Sequence, residues 1–146
     1  MKLAAVDSTP LPKLPEKPLI VFDGVCVLCS RFARFVVEHD PEGLFALTTA
    51  QGDLGQSLYR HYGLSTTDFE TNIVIADGEA WGELDAFAQV MARLPRPWCW
   101  LRVAKWIPEP LSGWLYRRVA LNRYRLFGKT DMCMIPPADW RHRYIE

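Results

Sequence analysis

Two cysteines three residues apart are the residues of this sequence best suited to chemistry. Cys26 and Cys29 flank Val27 and Leu28 in a C-x-x-C unit. Residues three apart lie on the same side of a helical turn, so the two sulfur atoms can approach bonding distance. The spacing therefore predicts a dithiol that can close into a disulfide and open again.

The start of a predicted helix gives the two sulfurs unequal roles. At a helix N-terminus the free backbone N–H groups and the helix dipole favour an anion, which lowers the pKa of the Cys26 thiol and makes it the nucleophile. Attack on a substrate disulfide gives a mixed disulfide, which a second thiol then resolves. Cys29, expected one turn into the helix and more buried, is the predicted resolving residue.

Asp23, three residues before Cys26, is the third candidate catalytic residue. One hypothesis is that its carboxyl group assists proton transfer to or from Cys29, or shapes the loop around the pair. An Asp-Gly pair after a strand is also typical of a turn, and an aspartate can cap a helix. At this stage the catalytic and structural interpretations stay open.

The surrounding pattern predicts the elements that position these residues. The apolar run over residues 19–22 indicates a strand buried on both faces, and from Cys26 the apolar residues recur at helical spacing. Further predicted elements are a strand over 44–48, a helix over 54–62 ending at Gly63, a hairpin over 72–82 turning at Asp77-Gly78, and a helix over 84–91. The order is β-α-β-α-β-β-α with a parallel pair and an antiparallel hairpin, as in a thioredoxin-like α/β core.

The chain divides into three predicted regions. Residues 1–17, with three of the eleven prolines, are expected to form a mobile N-terminal arm. Residues 18–127 are expected to form the thioredoxin-like domain, in which two C-terminal helices extend the core. Residues 128–146 are expected to be an irregular tail.

The composition limits the classes of function. The 146 residues include 17 basic and 17 acidic side chains, without the basic excess of a nucleic-acid-binding protein. No apolar run reaches the ~18 residues that span a bilayer, and no secretory signal is found. We therefore expect a cytoplasmic protein, where a close cysteine pair indicates catalysis or metal binding. No organic cofactor is predicted, because neither a G-x-G-x-x-G nor a P-loop pattern occurs.

Two segments resemble the DCC family of thiol-disulfide oxidoreductases, named for its D-x-x-C-x-x-C motif. The segments are Phe22–Cys29 (F-D-G-V-C-V-L-C) and Asn122–Gly128 (N-R-Y-R-L-F-G). The resemblance implies a thioredoxin-like fold and disulfide exchange, with Asp23, Cys26 and Cys29 as the motif residues. The expected partners are a disulfide-containing protein or small thiol substrate and an external thiol reductant. Contact with nucleic acid or membrane is not expected.

One departure from thioredoxins proper concerns a proline. Thioredoxins place a cis-proline against the cysteine pair just before the third strand, but no proline lies between Pro41 and Pro95 here. Thr71 or Asn72 must occupy that place, and a cis bond before a non-proline residue costs ~3 kcal/mol. A trans bond is therefore expected, together with a different substrate-docking surface.

The remaining cysteines allow an alternative function. Cys99 is expected in the core, whereas Cys133 is a candidate third thiol or a residue packed over the site. The alternative is a non-catalytic protein-binding module whose cysteines pack or bind zinc through positions 26, 29, 99 and 133. Arg123 is a candidate to pair with Asp23 or to contact substrate, or else a solvated or structural ion-pair residue.

Tryptophans concentrate in the C-terminal half, together with arginine and lysine. The residues concerned are Trp98, Trp100, Trp106 and Trp114. We expect them to face inward and pack, with the basic groups solvated. The alternative is an interfacial surface for a membrane or a protein partner.

Overall fold

A five-stranded mixed sheet forms the centre of the computed structural model, which describes residues 2–130 and 138–145. The strands are β1 (Lys2–Leu3), β2 (Leu19–Phe22), β3 (Ala46–Thr49), β4 (Ile73–Ala76) and β5 (Glu79–Gly82). The helices are α1 (Val27–Glu38), α2 (Asp53–His61), α3 (Glu83–Arg93) and α4 (Glu109–Phe127), with 3-10 helices over Trp98–Trp106 and Ala138–Arg143.

The sheet has the order β1-β5-β4-β2-β3. Strands β2 and β3 are parallel, with Leu19 opposite Ala46, because α1 crosses between them. Strand β4 pairs antiparallel with both β2 and β5. The predicted order β-α-β-α-β-β-α is confirmed, and the fold is thioredoxin-like with a C-terminal helical extension.

Strand β2 supplies side chains to two separate cores, one on each face of the sheet. Leu19 and Val21 pack toward α2, whereas Ile20 and Phe22 pack toward α1 and α3. All four residues are buried, as a continuous apolar run between two helical layers requires. Burying each such side chain contributes about 1.5–3 kcal/mol, which fixes the end of β2, where the cysteine loop begins.

Two predicted chain reversals are present. Asp77 and Gly78 have φ of 54° and 78°, the left-handed pair that a type I′ hairpin turn requires. Gly63, at φ 66°, follows the last turn of α2, where a residue without a β-carbon adopts this conformation freely.

The C-terminal helices differ from the prediction in form. The segment Trp98–Trp106 is a 3-10 helix, and none of its residues is fully buried. Helix α4 is long, but Gly113 and Arg123 are its only buried residues. Pro110 lies in its first turn, as expected.

Both terminal segments contact the domain. In the predicted arm, β1 adds an edge strand to β5 and Leu11 packs against the core on the α2 side. In the predicted tail, the 3-10 helix over Ala138–Arg143 leads to Ile145, whose N–H donates to the Leu47 carbonyl at 2.8 Å. The sequence signalled neither contact. The domain boundaries at residues 17 and 127 stay predictions.

Candidate active site

The cysteine pair lies where β2 meets α1. After β2 the chain turns at Asp23, whose carbonyl accepts a hydrogen bond from the Cys26 N–H at 3.3 Å. Cys26 is the N-cap residue of α1, with extended φ and ψ of −80° and 119°, and its Sγ accepts a hydrogen bond from the Cys29 N–H at 3.2 Å. Cys26 therefore stands at the positive end of the helix, as the sequence predicts.

The two thiols have opposite acidities. The hydrogen bond from the Cys29 thiol to the Cys26 sulfur lowers the pKa of Cys26 to about 7, although burial opposes this. The Cys29 backbone N–H and the Arg123 guanidinium contribute to this lowering, and the Asp23 charge opposes it. The same hydrogen bond raises the pKa of Cys29, and burial and the charge of Cys26 add to this effect. Near neutral pH the arrangement favours a thiolate on Cys26 and a proton on Cys29.

The relative burial of the two sulfur-bearing residues is the reverse of that expected. Cys26 has no exposed surface, whereas Cys29 is half-buried. By exposed surface the expectation that Cys29 is the more buried residue is therefore wrong, although Cys29 lies deeper among the surrounding protein atoms. A position one turn into the helix would bury Cys29 only if the adjoining face were filled, and here it borders a cavity.

Residues 128–130 run antiparallel to the loop that carries Cys26. The Thr130 N–H donates to the Val25 carbonyl at 2.9 Å, and the Val27 N–H donates to the Gly128 carbonyl at 3.4 Å. Cys26 and Lys129 face each other across this pairing. The segment directly after α4 thus runs beside the predicted nucleophile.

Asp23 is buried and accepts four hydrogen bonds. Its Oδ1 accepts from the Val25 N–H at 3.1 Å and from Gln51 Nε2 at 2.7 Å. Its Oδ2 accepts from Arg123 Nη2 at 3.1 Å and from the Tyr124 hydroxyl. The carboxylate therefore organises the loop before Cys26. Its predicted role in proton transfer stays a hypothesis.

Arg123 forms a buried ion pair with Asp23, so the interpretation as a solvated side chain is wrong and the pairing is confirmed. Its Nη2 also donates to the Asp68 carbonyl at 3.0 Å and to the Tyr124 hydroxyl at 3.1 Å. Among the described residues, its Nε has no hydrogen-bond partner. The side chains of both residues are almost completely excluded from water, and their salt bridge joins α4 to the loop before Cys26.

Sequence reasoning assigned no role to Gln51, Tyr116 or Tyr124. Tyr124 lies within the N-R-Y segment, which signalled its neighbourhood but not its function. The Tyr116 hydroxyl donates to Asn72 Oδ1 at 2.6 Å and accepts from the Asn72 N–H at 3.3 Å. Helix α4 is thus hydrogen-bonded to Asn72, which lies where thioredoxins carry their cis-proline. The cis peptide in the described ranges is Arg96–Pro97, so the bond before Asn72 is trans, as expected.

A cavity of about 360 Å³ lies between the sheet, α1, α3 and α4. Its walls are mainly aromatic and aliphatic, and Cys29 is part of them. The lining residues are Ile20, Phe22, Asp23, Leu28, Cys29, Phe32, Phe69, Asn72, Leu84, Phe87, Leu115, Tyr116, Val119 and Arg123. One of the two redox residues therefore borders a space large enough for a small molecule.

The other cysteines do not join the pair in the described part of the molecule. Cys99 is a free, half-buried thiol on the 3-10 helix, so its expected burial in the core is wrong. Cys133 lies outside the described residues. Within ranges 2–130 and 138–145, no group of three or more histidine, cysteine or acidic side chains is arranged to hold a metal ion. The zinc alternative needs Cys133 and is not tested.

Three tryptophans face solvent, contrary to expectation. Trp100 is 63% exposed, Trp106 75% and Trp114 56%. Trp98 alone of the four packs inward, edge-on against Phe35 with ring centroids 4.8 Å apart. Among the described residues, no helix is long and apolar enough to cross a membrane.

Comparison with known proteins identifies similar chains. Residues 20–129 match the DCC1-like thiol-disulfide oxidoreductase family. The chain is 35% identical over 133 residues to Uncharacterized protein YuxK of Bacillus subtilis (strain 168), covering 91% of this chain and 96% of that protein. It is 28% identical over 119 residues to DCC family protein At1g52590, chloroplastic, of Arabidopsis thaliana, covering 81% and 69% respectively. No solved structure matches.

Proposed function

Because the chain belongs to the DCC1-like thiol-disulfide oxidoreductase family, we propose that it is an enzyme that exchanges disulfides through Cys26 and Cys29. The observation that carries the proposal is the contact between the two cysteines, which gives Cys26 a pKa of about 7 and raises the pKa of Cys29. A nucleophile with a pKa near ambient pH combines a large thiolate fraction with high reactivity.

The first step forms a mixed disulfide. The Cys26 thiolate bonds to one sulfur of the substrate, the substrate S–S bond breaks, and the departing thiolate takes a proton from water. Cys29 stays protonated meanwhile, because the charge on Cys26 and the hydrogen bond to it raise the Cys29 pKa. The resolving thiol is therefore protonated and unreactive until Cys26 has reacted.

The second step releases the other half of the substrate. Once the Cys26 sulfur is bonded to substrate it carries no charge, so two of the causes that raise the Cys29 pKa disappear. Cys29 then loses its proton, attacks Cys26 and expels the second substrate thiol. Asp23 is proposed to organise the loop and to assist this proton transfer. The pair ends as a disulfide, and the substrate has gained two electrons and two protons.

We propose that the enzyme works as a reductase. An external thiol returns the pair to the dithiol form by two further exchanges. A reducing compartment such as the cytoplasm, our proposed location, supplies such thiols and keeps the pair reduced.

Exchange with hydroxyethyl disulfide, a small polar substrate, tests the proposal. The reduced full chain, with Cys99 and Cys133 replaced by serine to remove background thiols, is mixed with the disulfide and analysed by mass spectrometry. We expect the parent to form the Cys26–Cys29 disulfide and the Cys29→Ser variant to accumulate a mixed disulfide at Cys26. The Cys26→Ser variant is expected to react far more slowly.

Equal reaction rates for the parent and the Cys26→Ser variant would contradict the assignment of the nucleophile. A parent that forms no internal disulfide would favour the non-catalytic binding module instead.

A further inference from the structure

The cavity beside Cys29 has no role in the exchange steps above, which need only the two sulfurs. We propose that it is the substrate subsite of the redox pair and takes a small, uncharged disulfide with apolar substituents. The inference rests on the proposed function and extends it to a substrate class. A volume of about 360 Å³ holds a compact molecule, not a segment of folded protein.

The walls of the cavity determine the chemistry of the occupant. Phe32, Phe87 and Val119 are representative of the lining, and the few polar groups lie near the Asp23–Arg123 pair and Asn72. The guanidinium charge is already paired with a buried carboxylate, so the cavity offers no free charge to a charged ligand. Transfer of an ionised molecule into such a site carries a large desolvation cost, whereas apolar groups gain from burial.

A residue with an unusual backbone conformation contributes to the same wall. Phe69 has φ of 43°, in the left-handed region that an aromatic residue rarely adopts. Two contacts hold this backbone conformation. The carbonyl of the preceding Asp68 accepts a hydrogen bond from Arg123, and the Phe69 ring packs edge-on against Tyr59 with ring centroids 5.3 Å apart. The fold thus maintains strain that places this ring at the cavity.

The position of the cysteines favours entry from the cavity. Cys26 has no exposed surface, and residues 128–130 run beside it. Its sulfur lies 3.2 Å from the backbone nitrogen of Cys29, a residue of the cavity wall. Helix α4, bonded through Tyr116 to Asn72, occupies the surface beside the pair. Cys26 itself does not line the cavity, so a compact substrate held against Cys29 lies next to the residue that contacts the nucleophile. The pairing of residues 128–130 beside Cys26 disfavours approach by a bulky protein disulfide.

Binding and turnover are tested separately. The variant with Cys26→Ser and Cys29→Ser cannot exchange, so calorimetric titration measures occupancy alone. We expect this variant to bind dipyridyl disulfide and not glutathione disulfide, which is charged. Val119→Glu, which places a charge in the wall, is expected to weaken binding by at least about tenfold. Leu121→Glu, on the same helix but outside the cavity, is the matched control and is expected to bind within about twofold of the parent.

Turnover is measured with the reduced, cysteine-competent protein freed of excess reductant. We expect dipyridyl disulfide to react faster with Cys26 than hydroxyethyl disulfide does, after correction for the reactivity of each with a free model thiol, and Val119→Glu to abolish this preference. If the pair exchanges with hydroxyethyl disulfide but the inert variant does not bind dipyridyl disulfide, the cavity proposal fails and the proposed function stands. If the inert variant binds but the pair never exchanges, the proposed function fails.

A second, independent observation concerns the outer side of α4. Leu111, Trp114, Arg118, Leu121 and Arg125 recur at helical spacing on one face and are all exposed. In contrast to the expectation from the sequence that the protein makes no membrane contact, we infer that this α4 stripe docks on an anionic membrane surface. Exposed apolar side chains grouped on one helix mark an interaction site, and tryptophan beside arginine suits the boundary between lipid tails and anionic headgroups.

Charge distinguishes the membrane from other occupants. Helix α4 contains four arginines and a single acidic residue, Glu109 in its first turn, and the stripe itself contains no acidic residue. A second copy of the chain docked on the stripe would bring arginines together without a carboxylate to pair with them. An anionic lipid surface complements both components of the stripe, and the chain needs no spanning helix to use it.

Vesicle co-sedimentation of the full chain tests this docking. We expect binding to phosphatidylglycerol vesicles, weak binding to phosphatidylcholine vesicles, and loss of about fivefold in affinity for each of Arg118→Gln and Arg125→Gln. Arg34→Gln, an exposed arginine on α1, is the matched control and is expected to be neutral. Equal binding to both lipids, binding to neither, or concentration-dependent dimerisation abolished by Leu121→Ser would overturn the proposal.

Discussion

The sheet-centred part of the molecule, residues 19–94, and the C-terminal part, residues 98–130, differ in how they are stabilised. In the first, β2 is buried over its full length and supplies two cores. In the second, α4 buries Gly113 and Arg123 of its nineteen residues. The first part builds the cysteine pair, whereas the second supplies Arg123, Tyr124 and segment 128–130 to its surroundings. Polar contacts at a few points, more than apolar burial, therefore join α4 to the sheet-centred part, whereas the 3-10 helix before it packs on α3 and through Trp98 on Phe35.

The largest expected effect is on the ion pair that joins the two parts. Arg123→Met leaves Asp23 buried without its cation, and breaking a buried pair from one side costs about 3–5 kcal/mol. Urea unfolding of the reduced protein measures the loss. Arg34→Met breaks the exposed Arg34–Glu38 pair of α1 and is expected to cost about 0.3–0.5 kcal/mol. Similar losses for the two variants would show that Arg123 does not anchor α4.

Apolar truncations compare the two parts directly. Ile20→Ala removes a fully buried side chain from β2 and is expected to lower the free energy of unfolding by about 2–5 kcal/mol. Leu121→Ala, on the exposed α4 stripe, is expected to change it by less than about 0.5 kcal/mol. A large loss of unfolding free energy in Leu121→Ala would mean that the stripe packs within the molecule. The two parts would then not differ in how they are stabilised.

The pKa of Cys26 shows how much the first turn of α1 contributes to the acidity of this thiol. Cys29→Ala removes the hydrogen-bond donor that lowers the Cys26 pKa to about 7, so this pKa is expected to rise toward the ordinary value of about 8.5. Cys29→Ser keeps an O–H donor and is expected to produce a smaller rise. Ultraviolet absorbance of the thiolate during a pH titration measures both. An unchanged midpoint in Cys29→Ala would assign the effect to Arg123 and the helix end instead.

The same pKa makes stability depend on pH. The folded-state pKa of Cys26, about 7, lies below the unfolded value of about 8.5, so the folded state binds fewer protons between these values. The stabilisation is present above about pH 8.5 and is lost as the pH falls through about 7. Reduced parent protein is therefore expected to gain stability relative to Cys26→Ser as the pH rises across this window.

The last expected effect is on segment 128–130. Gly128 has φ of 90° and ψ of 166°, a conformation that residues with a side chain rarely adopt, so Gly128→Ala is expected to cost about 1–3 kcal/mol. At Gly113, inside α4, the atoms nearest to an added β-carbon belong to the flexible Arg117 side chain at 3.4 Å, so Gly113→Ala is expected to stabilise by about 0.5–1 kcal/mol. Thermal unfolding distinguishes the two, and a neutral Gly128→Ala would indicate that the segment rearranges without cost.

Elements that depend on residues close in sequence could be predicted. The fully apolar β2, the Asp77-Gly78 turn and the helix beginning at Cys26 depend on neighbours within a few residues, and each is present in the structure. Local pattern also located the candidate cysteines and Asp23.

The surroundings of the pair could not be predicted in the same way. Asp23 and Arg123 are 100 residues apart, and α4 has no buried apolar face whose period would reveal its orientation. The burial of Cys26 depends on this long-range arrangement, as does the cavity beside Cys29. The prediction that the tryptophans face inward was wrong for three of them. It relied on the general tendency of large apolar side chains to be buried, and Trp100, Trp106 and Trp114 are exposed.

The pairing of segment 128–130 with the cysteine loop has a kinetic consequence. Gly128 follows Arg123 by little more than one helical turn, so a motion that withdraws the segment from Cys26 also strains the link between Arg123 and Asp23. Solvent access to the nucleophile and the electric field acting on it are therefore coupled in one local opening equilibrium. Hydrogen exchange at the Val27 and Thr130 amides reports the population of that open state, and this population sets an upper limit on the reaction of Cys26 with reagents too large for the cavity.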